Sequence, residues 1–272
     1  FSGLQKSQSS YNIVHKKVWM FNSLKRAIGG RLAAFLSKDL PGYQRLDTVA
    51  IADITMTLEK GDIVLVDGNT RISTAIKYLT QSTWSHACLY VGGKGADSSR
   101  LNLLEANLRN GVHLTSLDHY ANFNLRICRP VNLSDEETEQ LVTFARQRIG
   151  HQYDLKNVTD LIRYVIQKPG VPNRYRRSLL GLGSGEPTKA ICSTLIAESF
   201  QSIDYPILPR RKGDAGSSGE VPLLYKQHFT HFTPRDFDLS PYFRIVKPTI
   251  ESGFDHHDLA WEASGDGSGS LD

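Results

Sequence analysis

Between residues 58 and 129 the sequence breaks into short β-rich runs separated by glycine and turn residues, and this rhythm most restricts the fold. The runs are IVLV at 63–66, HACLYV at 86–91, LNLLEA at 101–106 and LRICR at 125–129. Runs this short, rich in Val, Ile and Leu, have the length of strands. The Asn-Gly pair in RNGV at 109–112 signals a tight hairpin turn. A small sheet follows.

Two helices complete the pattern. SDEE at 134–137 is a capping box ahead of LVTFARQRI, and Gly150 stands where that helix would end. The stretch AICSTLIAESF at 190–200 reads as a second helix, with Leu195, Ile196 and Phe200 to seat it on the core. Cys192 falls in its first turn and is expected to point outward. Strands and helices in this order define an α+β domain over 58–250.

The flanks differ in composition. Residues 1–57 form a basic extension in which Val18, Phe21, Leu24, Ile28, Leu32, Phe35 and Leu36 fall on one side of a helix, edged by Lys25 and Arg31. Most such faces pack on a domain; a surface-lying membrane helix has the same composition. An irregular insert at 156–190 carries surplus Lys and Arg. It suits either a solvated loop or a basic rim for an anionic substrate or headgroup. Residues 251–272 are acidic, lack Lys and Arg, and end in SGDGSGS-type sequence expected to be disordered.

With 272 residues and 40% hydrophobic content, the chain can bury a substantial core. The net charge of +4 is too mild to indicate a nucleic-acid partner. No apolar run approaches the roughly 20 residues of a membrane span. The expected location is cytoplasmic or peripheral to an anionic membrane. No signal-peptide pattern is present, and an upstream targeting segment stays open because the sequence begins at Phe1.

Cys88, Cys128 and Cys192 are odd in number and far apart, which argues against a disulfide framework and a thiolate zinc site. Cys88 and Cys128 lie in apolar runs and read as structural. Cys192 alone starts a helix, where backbone amides favour the thiolate. Among nine histidines, His86 in STWSHACLYVGG is a polar residue at the head of an apolar strand, and buried polar groups need partners. Glu105 in LNLLEA shares a strand face with Leu101 and Leu103, where an unpaired carboxylate would be costly. His228 and His231, and His256 and His257, lack a cysteine or carboxylate at zinc-site spacing, so neither metal nor organic cofactor is expected.

The order LEKGDIVLV, WSHACLYVGG, LLEANLRNGVHLTSL, RQRIGHQYD, AICSTLIAESF resembles the circularly permuted branch of the papain-fold, NlpC-like superfamily. It is similar to the YiiX and YebB group of cysteine hydrolases, relatives of lecithin:retinol acyltransferase-like enzymes. In that branch the histidine strand precedes the cysteine helix. The resemblance spans roughly residues 58–203. It implies a sheet packed on the cysteine helix, with Cys192 as nucleophile, His86 as base then acid, and Glu105 orienting the imidazole. It also implies Tyr153 of GHQYD as an oxyanion donor.

The implied activity is cleavage of an amide or ester through a thioester. Peptide, peptidoglycan and lipid substrates all fit. Two readings compete with it: a lipid acyltransferase or hydrolase at a membrane surface, and a silent papain-fold binding module.

Overall fold

The computed structural model describes residues 35, 38–46, 48–92, 100–107, 110–152, 191–211 and 224–260. The amphipathic stretch at 18–34, Tyr153, the insert at 156–190 and the tail beyond 260 lie outside the described residues.

Helix α1 (Ile51–Thr57) leads into strand β1 (Ile63–Asp67), and helix α2 (Arg71–Thr80) into β2 (His86–Tyr90). Strands β3 (Leu101–Asn107) and β4 (Gly111–Ser116) form a hairpin, followed by a 3-10 turn (Leu117–Tyr120) and β5 (Asn124–Pro130). Next come helices α3 (Asp135–Arg146) and α4 (Ile191–Ser202), then the short pair β6 (Arg210–Arg211) and β7 (Leu224–Tyr225). Helix α5 (Pro234–Leu239), strand β8 (Phe243–Val246) and helix α6 (Pro248–Glu251) complete the order.

Six strands form one antiparallel sheet in the order β4-β3-β2-β1-β5-β8. The four β-rich runs are its centre, and the architecture is α+β. The two edges, β4 and β8, were not evident in the sequence. VHLTS leaves four of the six β4 positions half-exposed, so it lacks an apolar run. FRIV joins the sheet from far along the chain.

Both faces of the sheet are covered, which explains why all five β1 residues are buried. On one face Ile63, Leu65, Ala87, Leu89, Leu104 and Ala106 meet α3 and α4 through Leu141, Val142, Leu195, Ile196 and Phe200. On the other, Val64, Val66, Cys88, Tyr90 and Leu103 meet Ile54, Leu117 and Tyr120. Period-two alternation therefore sends His86, Cys88 and Glu105 to the face opposite α4.

The structure revises local expectations. A register shift between Leu101 and Leu103 breaks the alternation in β3, so Leu101 is exposed while Leu103 is buried. The β3–β4 pairing closes at Asn107 and Gly111, with Gly111 at φ +65°. Only glycine suits that position, since a Cβ there would lie 2.3 Å from the His151 carbonyl oxygen. Helix α3 has the expected box: Ser134 Oγ accepts from the Glu137 N–H, and the Glu137 carboxylate accepts from the Ser134 N–H. It ends at Arg146, four residues before Gly150, which takes φ +88° in the following turn. The acidic stretch from 251 carries a 3-10 turn at His256–Asp258 capped by Asp255.

Among the described residues no helix is long and apolar enough to cross a membrane. The described segment around Tyr43 and Arg45 is held against the end of the sheet. Tyr43 OH lies 3.5 Å from Asp67 Oδ2 and accepts from the Asn124 N–H, while Arg45 donates to the Ala121 carbonyl.

Candidate active site

His86 is the first residue of β2, and the segment before it is fixed from several sides. The Ser85 N–H donates to the Val66 carbonyl, and Ser85 Oγ accepts from the Gly68 N–H. Trp84 Nε1 donates to Asp238 Oδ2 at 3.1 Å, and Arg126 donates to Asp238 Oδ1 while lying over the Trp84 ring. Helix α5 therefore braces the approach to His86. Its side chain keeps 20% exposure, which leaves the imidazole reachable.

Glu105 is 2% exposed and lies near the middle of the β3 face. Its Oε2 is 2.8 Å from His86 Nε2. The same oxygen accepts from Tyr120 OH and is 3.6 Å from Cys88 Sγ. Its Oε1 is 3.0 Å from His113 Nε2 and accepts from Asn107 Nδ2 at 3.1 Å.

Cys192 enters from α4, whose apolar side packs on the opposite face of the sheet. Cys192 lies beside the head of β2, where His86 and the Ala87 N–H favour its thiolate, and its Sγ is 3.9 Å from Ser193 Oγ. With His86 Nε2 on Glu105, Nδ1 is the nitrogen left for sulfur. The expectation of an outward-pointing thiol is corrected: Cys192 is 4% exposed, wedged between the helix start and the head of β2. Arg148 of the turn after α3 ties α4 down by donating to Glu198 at 2.9 Å.

The electrostatics divide the thiols. Burial pushes the Cys192 thiol up, but the His86 charge, its hydrogen bond, the Ala87 N–H and Ser193 outweigh it and hold the thiol below its ordinary value. Burial lowers His86, and the neighbouring Cys192, Cys88 and Glu105 overcome this and hold the imidazole well above its ordinary value. Glu105 is driven up by burial and, more strongly, down by His86, Tyr120 and His113, ending well below the carboxylate range. Cys88 is pushed up to about 11 by burial, with His86 only partly offsetting it. Cys128 is raised by burial and Asp238.

One expectation follows directly. Iodoacetamide at pH 6–7 should alkylate Cys192 well before Cys88 or Cys128, because the thiolate is the reacting form. Peptide mapping of alkylated protein at several pH values checks this. Equal labelling of Cys192 and Cys128 at pH 6 would remove the basis for a nucleophilic Cys192.

His86, Cys88 and Glu105 present ligand atoms within 4.8 Å of one another, a spacing that can hold a metal ion. There a metal would have to displace the proton of Cys88 and the Tyr120 and His86 hydrogen bonds. Asp255, His256 and His257 form a second such group on the exposed terminal turn. Asp255 thus places a carboxylate beside that histidine pair, contrary to the expectation from spacing.

His113, Tyr120 and Asn107 join the site without an expectation from sequence, and Cys88 joins it instead of being only structural. A signal for His113 was present. Counting two residues outward along both strands from the Asn107–Gly111 closure reaches Glu105 and His113, which are paired.

One comparison with known proteins bears on the fold. A family model described as a permuted papain-like amidase enzyme, YaeF/YiiX, C92 family, matches residues 57–164. That span contains His86 and Glu105 and stops before Cys192. The match supports a permuted papain-like, YiiX-like family and a cysteine hydrolase. Among solved structures the chain is similar to one titled metalloprotein yiiX from Escherichia coli O157:H7. The two share 17% identity at a TM-score of 0.42, covering 70% of this chain and 96% of that one. No curated protein matches.

Proposed function

We propose that the chain is an amidase-class cysteine hydrolase in which Cys192 is the nucleophile, His86 the base and acid, and Glu105 the orienting carboxylate. One observation carries the reading. An imidazole at the head of β2 has its Nε2 2.8 Å from a buried carboxylate and stands next to a thiol in the first turn of a helix, whose thiolate it favours.

The chemistry follows from that arrangement. The Cys192 thiolate attacks the carbonyl carbon, and the carbonyl π electrons move to oxygen. Backbone N–H groups in the first turn of a helix lack intrahelical partners, so those at the start of α4 are suited to bind that oxyanion. The His86 imidazolium gives its proton to the departing amine or alcohol as the carbon–heteroatom bond breaks, leaving a thioester on Cys192. Neutral His86 then takes a proton from water, the hydroxyl oxygen bonds to the acyl carbon, and the thiolate leaves with the carbon–sulfur electrons. The family description favours an amide, hence a peptide-like substrate.

The test is intact-protein and peptide mass spectrometry after incubation with cell extract. An adduct on the Cys192 peptide, removed by hydroxylamine and absent from Cys192→Ala, is expected. Its mass would separate an aminoacyl from a fatty-acyl donor. An adduct equally present on Cys192→Ala would overturn the assignment.

A further inference from the structure

The Glu105 carboxylate is surrounded by more donors than an orienting group needs to hold one imidazole. His86 and Tyr120 converge on Oε2, and His113 and Asn107 on Oε1. Asn107 lies two residues along the same strand and supports Glu105 locally. His113 and Tyr120 come from β4 and the 3-10 turn, so they clamp the carboxylate from outside β3.

Their geometry is directional. His113 Nδ1 is 3.1 Å from the Gly111 carbonyl, and Nε2 is 3.0 Å from Glu105 Oε1. Both neighbours are oxygens, so each ring nitrogen faces an acceptor. Tyr120 is buried, its ring edge-on to His119 at 4.9 Å and its centroid 6.0 Å from that of His86. Its hydroxyl is held far above the ordinary tyrosine value, chiefly by burial, so it remains a donor. The titratable groups facing this pair are Glu105 from β3, His86 and Cys88 from β2, and His119 from the 3-10 turn.

We propose that His113 and Tyr120 are positioning residues that keep Glu105 ionised and present its Oε2 to His86. The inference rests on the cysteine-hydrolase reading and adds two residues to it. A carboxylate buried this deeply without such donors would favour its neutral form. A protonated Glu105 would hold a neutral imidazole and weaken the imidazolium that supports the Cys192 thiolate. Donors that orient a functional group from behind typically change activity by about 10–100-fold on removal.

The experiment uses the full chain with Tyr120→Phe, His113→Leu and His113→Gln, iodoacetamide as thiolate probe and 4-nitrophenyl acetate as acyl donor. Folding of each variant is checked by circular dichroism. Tyr120→Phe and His113→Leu should each lower kcat by about 10–100-fold with little change in KM. Both should move the low-pH limb of Cys192 alkylation upward by about one pH unit. His113→Gln, which retains an N–H donor, should restore most of both. Tyr120→Phe removes only the hydroxyl and keeps the ring, so its profile decides the matter if His113→Leu fails to fold. A folded Tyr120→Phe and His113→Gln whose alkylation profiles and kcat match wild type, with no loss in His113→Leu, would overturn the inference. If wild-type Cys192 shows no low-pH reactivity, the cysteine-hydrolase reading fails first, and the two failures are told apart.

Discussion

Cys192→Ser should remove turnover by about 10⁴-fold or more, the scale on which losing a member of a nucleophile–base–carboxylate set acts. The serine hydroxyl cannot ionise against an imidazole as a thiol does, so the Cys192–His86 charge pair disappears even though the volume hardly changes. His86→Ala should cost about as much, and the double variant no more than either single one, because the residues act as a unit. Glu105→Gln should retain measurable turnover, since the carboxylate orients and charges the imidazole without carrying the proton.

The pH profile of the wild type should be bell-shaped. Turnover needs the Cys192 thiolate together with the His86 imidazolium. It falls in acid as the depressed thiol protonates, and in alkali as the raised imidazolium loses its proton. Stability follows the same signs. The His86 contribution is full below its ordinary value near 6.5 and is lost as pH rises through the raised folded value. The Glu105 contribution is present above the ordinary carboxylate value and is lost only as pH falls through its depressed one. Initial rates with the acyl donor identified by mass spectrometry test the profile, and urea unfolding across the same pH range tests the stability signs. Turnover by Cys192→Ser within about tenfold of wild type would be incompatible with covalent catalysis at this residue.

The parts of this molecule that were legible in the sequence share one property: a local pattern dictates them. Ser134 and Glu137 cap a helix by contact with their own neighbours. IVLV is buried on both faces and reads as an unbroken apolar run. His86 and Glu105 stood out because each interrupts such a run, and β2–β3 pairing brings them together. What remained hidden depends on contacts distant in sequence. Tyr120 reads as an aromatic in a polar turn, and only the fold directs its hydroxyl to Glu105. Strand β4 looks polar because its role is to carry His113 to the carboxylate at a half-exposed edge. The burial of Cys192 was missed because helix geometry alone places a first-turn residue at a free end, whereas here the head of β2 covers it. Cys88 was read as structural from its apolar strand; its raised thiol makes it a protonated neighbour of Glu105.

Arg129→Met is expected to be strongly destabilising although it lies outside the site. The Arg129 side chain, on β5, is 13% exposed and forms two parallel bonds to Asp62, Nε to Oδ1 at 2.9 Å and Nη2 to Oδ2 at 2.8 Å. It also donates to Glu59 Oε1 and to the Thr57 carbonyl at the end of α1. Asp62 is fully buried and accepts from the Glu59 N–H as well. Even so its carboxyl sits above the usual range, because burial outweighs the arginine and backbone donors. Removing the guanidinium leaves a buried carboxylate without its counterion, at a cost of about 3–5 kcal/mol. The sign with pH is defined. A carboxyl whose folded value is raised stabilises below its unfolded value and loses that contribution as pH rises through the folded one. The deficit of Arg129→Met should therefore be smaller in mild acid than at pH 8. Asp62 lies before β1, where its carbonyl accepts from the Tyr90 N–H at the far end of β2 from His86. Folded Arg129→Met should accordingly keep wild-type kcat at low temperature. Urea unfolding at pH 5 and pH 8, with the double variant Arg129→Met/Asp62→Leu alongside, checks the account. The double variant should recover part of the loss, since it removes the stranded charge. A single variant as stable as wild type at both pH values would show that this buried pair contributes nothing net to the fold.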